Sequence, residues 1–328
     1  MDENDNLLLL SIQQGYLELM LKYQRLEDYL FQCAYKSKRG SKGKAELKMM
    51  KFFSLHELIR AYTSTSKFAS LSQKDKDKLY GSLFKTIALR NYYVHQFFYD
   101  VYFEAYDAKS KTFAESKLED LEFKMMKEGE RLDIIYDRML EKVATHHHYA
   151  YRHIDISSFS SSLTYASLSK EEMGSPYEDE RKYAFPSQYW ALSYGYFALE
   201  SSLYGFCAKI EAKYHSFAEE IAKSLSSKSF TEYGKYIELA YKKEPLFAFF
   251  LDDHLANIKS FFDKLSSLSQ DRNYWTHFCL SSFLNEQGEY SFNEVITNAS
   301  EFNRLNKSYA LLLEVEETIY RLEEDFGS

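Results

Sequence analysis

Two six-residue stretches carry the residue types most able to do chemistry. Arg90–His95 reads RNYYVH and Arg272–His277 reads RNYWTH, each with Arg, then Asn and Tyr, and a His five positions after the Arg. Histidine titrates near neutrality, so it can take or give a proton at physiological pH. Arginine stays protonated and presents a planar fork of N–H groups to phosphate oxygens. Two such pairs, from Arg90 with His95 and Arg272 with His277, make a set able to move protons and neutralise charge without a metal.

On a continuous helix, five residues set two side chains about 140° apart. Either a helix starts at the Asn, leaving the Arg on the preceding turn, or the long Arg side chain curls back. Asn91 and Asn273 are good N-cap residues under the first reading, and phosphate-orienting residues otherwise. Tyr92, Tyr93, Tyr274 and Trp275 are candidates to stack on unpaired bases, or else core aromatics.

The elements that position these residues read as helices throughout. The chain of 328 residues has only 3 Pro and 11 Gly, so long helices are expected and the fold class is all-α. Its 29 Tyr and 26 Phe predict cores rich in aromatic packing. Apolar residues recur at helical spacing from Leu7 to Cys33. Further helices are expected over 46–69, 73–106, 113–143, 215–225, 230–242, 246–268 and 292–326, with a second series opening near Tyr189. Residues 145–188 carry a His triplet, a Ser-rich run and two of the prolines, and read as a linker or irregular connection.

The two halves run in parallel. LEDYLF at Leu26 resembles LESSLY at Leu199, 173 positions on, and the two RNY motifs are 182 apart. We read an internal duplication with one helical domain over 1–144 and another over 189–328.

The repeated R-N-x-x-x-H resembles the R-x4-6-H signature of the HEPN superfamily. That resemblance implies two similar helical bundles of four to five helices each, forming a pseudo-dimer on one chain with facing motifs. It also implies a metal-independent endoribonuclease. RNA supplies its own nucleophile, the 2′-hydroxyl, and cleavage would leave a 2′,3′-cyclic phosphate. His95 and His277 would transfer protons; Arg90 and Arg272 would stabilise the crowded phosphorane. Glu27 and Glu200, in the matched LE pairs, are implied partners that orient the Arg, against the alternative of solvent-facing charges. Asn91 and Asn273 are supporting residues. A small enzyme of this kind suits a toxin or anti-phage defence effector, controlled by a regulatory or antitoxin-like protein. A non-catalytic HEPN-type module that binds RNA, a nucleotide or a protein is the competing reading.

Other features are weaker. The net charge of −8 argues against bulk attraction to nucleic acid or anionic membrane. A local basic run, Lys36, Lys38, Arg39, Lys42 and Lys44, is the candidate for RNA phosphate contacts. His146, His147, His148 and His153 have no cysteine nearby and adjacent histidines cannot all face one ion, so no metal site and no cofactor are expected. Cys33, Cys207 and Cys279 form neither a disulfide framework nor a zinc site. No secretory signal or membrane-spanning segment is read, so a cytoplasmic location is expected and no membrane partner. Whether two chains associate further into a homodimer is left open.

Overall fold

The computed structural model describes residues 3–38, 54–107, 112–143, 178–214, 229–277, 279, 283 and 290–327. Those residues are all-α, apart from a two-residue antiparallel ladder that pairs Tyr106 with Phe113 and Asp107 with Thr112. No described helix is long and apolar enough to cross a membrane.

The chain divides into two compact units that interleave along the sequence. Among the described residues, the first takes everything up to Val143, with Pro176–Trp190 and Thr276–Asn298; the second takes Ala191–Trp275 and Ala299–Ser328. His277 is therefore counted with the first unit and Arg272 with the second, whereas a division into consecutive halves puts both in one.

The first unit is built on α1 (Glu3–Lys38), α2 (Leu55–Thr63), α3 (Ser66–Ala69) and α4 (Gln73–His95). A three-residue α5 (Phe97–Tyr99) and a π-helical turn (Asp100–Ala105) lead through the ladder to α6 (Glu115–Val143). Local chemistry sets the helix starts: Ser54 and Glu57 form a capping box, and Ser72 Oγ accepts the Asp75 N–H. α1 packs along α6, with Tyr16, Leu19, Tyr23 and Leu30 buried against it or its neighbours. Tyr16, Phe97, Phe98 and Trp190 form one aromatic box, and Trp190 Nε1 donates to Tyr102 Oη at 2.8 Å.

α7 (Glu178–Lys213) begins well before Tyr189 and continues through Pro186, so residues read as the end of an irregular connection are helical. In the second unit α7 is followed by α8 (Phe230–Lys243), α9 (Pro245–His254) and α10 (Ile258–His277), then α12 (Ala299–Gly327). The short α11 (Phe292–Thr297) is counted with the first unit. The span expected as one helix over 246–268 is broken at Leu255–Asn257, and that over 292–326 at Asn298. The expected helix over 215–225 lies outside the described residues, as do His146, His147, His148 and His153.

Candidate functional site

Each motif ends a helix instead of starting one. Arg90 and Asn91 lie inside α4, whose last residue is His95; Arg272 and Asn273 lie inside α10, whose last residue is His277. The N-cap reading of Asn91 and Asn273 is thus corrected: both are mid-helix and exposed. The helix runs on through the Asn because the bulky residues after it pack inward, leaving no backbone N–H there to cap.

Two elements of the first unit, α1 and α6, hold the end of α4. Tyr16 of α1 donates its hydroxyl to the Tyr93 carbonyl at 3.2 Å, satisfying an acceptor in the last turn. Arg131 of α6 donates from Nη1 to the Ser82 carbonyl at 3.1 Å and from Nη2 to Thr86 Oγ1 at 3.0 Å, one turn before Arg90. Arg131 is itself fixed by a two-pronged contact with buried Glu128, which also accepts the Tyr23 hydroxyl at 2.7 Å. Burial pushes the Tyr23 hydroxyl far above its ordinary titration range, so it stays a donor.

The site gathers one residue from each of α1, α4 and α10, all in the first unit. Nη2 of Arg90 lies 2.7 Å from Nε2 and 3.0 Å from Nδ1 of His277. Nδ1 lies 2.8 Å from Glu27 Oε2, and Arg90 Nε lies 3.6 Å from Glu27 Oε1. A carboxylate only accepts, so Nδ1 carries the hydrogen that is donated to Glu27. Nε2 of the neutral ring then carries the lone pair, and Arg90 Nη2, close to both ring nitrogens, lies against the imidazole and not along that lone pair. The side chains of Glu27, Arg90 and His277 are 1%, 10% and 20% exposed, a graded cluster with its imidazole toward solvent.

The second unit repeats part of this. Arg272 Nη2 donates to Glu200 Oε2 at 3.0 Å, with both side chains largely buried. Each Glu of the matched LE pairs thus meets the Arg of its own unit, and neither is a solvent-facing charge. The two copies differ beyond that. In the second unit the residue before the Arg is Asp271, and it is buried; the corresponding Leu89 is not an acid. Trp275 Nε1 donates to Ser308 Oγ at 3.1 Å, and Ser308 donates to Asp271 Oδ2 at 2.9 Å. Burial raises the Asp271 carboxyl above its ordinary range, while the Ser308 hydrogen bond and the Arg304 charge partly oppose the shift.

The remaining sequence candidates fall as follows. His95 is exposed at the end of α4. Tyr93, Tyr274 and Trp275 are core residues at 2% exposure, as the core-aromatic alternative has it, and half-buried Tyr92 donates its hydroxyl to Asp100. α1 extends through Lys38, so the start of the basic run is helical; the side chains of Lys36, Lys38, Arg39, Lys42 and Lys44 lie outside the described residues. Among the described residues, no three His, Cys, Asp or Glu side chains are grouped to hold a metal ion. Sequence reading missed Tyr23, Glu128 and Arg131, whose i,i+3 charge pair on a long charged helix looks like surface.

No family model matches this chain, and no curated protein or solved structure matches it.

Proposed function

We propose that the chain is an endoribonuclease of the tandem HEPN type, cutting RNA by attack of its own 2′-hydroxyl. The observation that carries this reading is the meeting of Arg90 from the first motif with His277 from the second, both bound to Glu27. In the resting arrangement Arg90 lies against the His277 imidazole, close to both ring nitrogens. An incoming phosphodiester offers the guanidinium a stronger, charged acceptor beside the ring. Nε2 then takes the proton of the 2′-hydroxyl as O2′ bonds to phosphorus and the P–O5′ bond breaks. Arg90 neutralises charge on the phosphorane oxygens, and Glu27 keeps the ring in the tautomer that leaves Nε2 free. His95, exposed at the end of α4, is the candidate donor of the proton that O5′ needs. Product ends would be a 2′,3′-cyclic phosphate and a 5′-hydroxyl. Two helical bundles of four to five helices forming a pseudo-dimer, a cytoplasmic location and a toxin or defence role belong to the same reading.

The test is cleavage of single-stranded and transfer RNA in EDTA, with end-mapping of products. The reading expects cyclic phosphate ends that disappear in Arg90→Ala and His277→Ala. Activity that survives both changes, or that requires Mg²⁺, would overturn it.

One observation favours a second reading, a non-catalytic helical module. Glu27, Arg90 and His277 hold one another and are mostly closed from solvent, as a structural staple would be. On that reading the parent chain cuts no RNA, and the same two substitutions lower its melting temperature.

A further inference from the structure

A groove of about 830 Å³ runs along α1 and α6 of the first unit, apart from Glu27, Arg90 and His277. Its walls span Ser11 to Lys22 on one helix and Glu119 to Glu130 on the other, about 17 Å or three helical turns. Leu19, Phe123, Met125 and Met126 make an apolar floor. Phe123 and Met126 are 54% and 51% exposed, and Ile134 continues their stripe along α6 at 50%. Gly15 and Gly129 leave room between the walls; a Cβ at Gly15 would reach Met125 Cε at 3.6 Å. Methionine-floored grooves adapt to apolar side chains of differing shape.

The rim is acidic. Glu18, Glu119, Glu122 and Glu130 line the groove; among the described lining residues Lys22 is basic, and Lys127 beside the groove pairs with Glu130 at 2.9 Å and lies over the Phe123 ring. Lys22 is already held by Asp133 at 2.7 Å and Glu18 at 3.5 Å. An occupant therefore meets surplus negative charge around an apolar floor. A second copy of this acidic groove would repel it, and an anionic nucleic acid would too.

We propose that this groove docks a basic amphipathic helix of a partner protein, with apolar residues at i, i+3, i+4 and i+7 on the floor and Lys or Arg against the glutamates. A three-turn segment matches its length. The inference stands independently of whether Arg90 and His277 cleave RNA.

The full chain is titrated, at about 0.15 M salt to screen bulk steering, against a fluorescent Leu/Lys peptide patterned as an amphipathic helix, and against the same composition scrambled. The expected result is saturable binding of the patterned peptide, at least tenfold tighter than the scrambled one. Phe123→Glu with Met126→Glu should weaken it tenfold or more, although the variant is more acidic; both residues are exposed, and circular dichroism checks the fold. Glu119→Lys with Glu130→Lys, on exposed positions, should weaken it as well. Equal binding of both peptides, or unchanged or tighter binding to the Phe123/Met126 variant, overturns the proposal in favour of simple charge attraction. A chain that sediments as a dimer and becomes monomeric in that variant overturns it in favour of a second copy as occupant.

Discussion

Nη2 of Arg90 sits 2.7 Å from Nε2 of His277, a residue 187 positions later in the chain. The contact joins the arginine of one copy of a repeated motif to the histidine of the other, and buried Glu27 holds both. It sets a fixed positive charge beside the imidazole, where a phosphodiester would meet both groups at once.

If the pair acts as one unit on RNA, its losses do not add. His277→Ala and Arg90→Ala should each slow cleavage about 10²- to 10⁴-fold. The double variant should be scarcely slower than either single one, since residues acting together are strongly non-additive. Single-turnover rates on a short RNA decide it; losses that simply multiply would separate the two side chains. Arg272→Ala is the comparison, because that guanidinium is paired with Glu200 in the second unit.

Glu27→Gln probes the tautomer. An amide in place of the carboxylate can still accept from Nδ1, but it no longer stabilises the imidazolium formed when Nε2 takes a proton. The expected outcome is a fall in kcat with KM little changed, and a shift of the acidic limb of the pH–rate profile. Glu27→Ala and Glu200→Ala should each also cost about 3–5 kcal/mol of stability, because each leaves an arginine in a largely buried place without its carboxylate. Urea denaturation measures both; a cost under about 0.5 kcal/mol, the level of a surface substitution, would contradict the pairing.

Part of this was legible beforehand. Helical periodicity and the scarcity of Pro and Gly gave the all-α class, and matching LEDYLF to LESSLY picked out Glu27 and Glu200. The helix ends were not legible. Asn91 is a good cap by type, but Tyr93, Phe97 and Phe98 pack inward and carry the helix past it. Pro186 reads as a breaker, yet α7 continues through it, since a proline removes one hydrogen bond and the flanking residues Phe185, Tyr189 and Trp190 are deeply buried. The pair Glu128–Arg131 has the spacing of any exposed helix pair, and only packing from α1 and α4 distinguishes it.

Arg131 is the support whose loss should be felt at the first motif. Arg131→Ala removes its bonds to Ser82 and Thr86 and strands Glu128, which is 5% exposed. A cost of about 3–5 kcal/mol is expected. Replacing both members, Glu128→Gln with Arg131→Met, should recover most of it, because no buried charge is then left alone. If the single and double variants melt together, Arg131 is not the clamp that holds α4.

The second unit carries a pH dependence of its own. Burial raises the carboxyls of Asp271 and Glu301 above their ordinary values of 3.8 and 4.5, with the Ser308 and Tyr274 hydrogen bonds and the Arg304 charge opposing in part. A raised folded-state value means that the folded chain holds the proton more tightly than the unfolded one. The stabilisation is full below the ordinary values and is lost as pH rises through the raised ones. Asp271→Asn with Glu301→Gln cannot ionise, so the variant should lose less stability than the parent as pH rises from about 4 to 7. Of the 2 tryptophans, Trp190 falls in the first unit and Trp275 in the second, so a Trp190→Phe background lets fluorescence report the second unit. Parallel curves for parent and variant in that background would mean that these carboxyls titrate alike in the folded and unfolded chain.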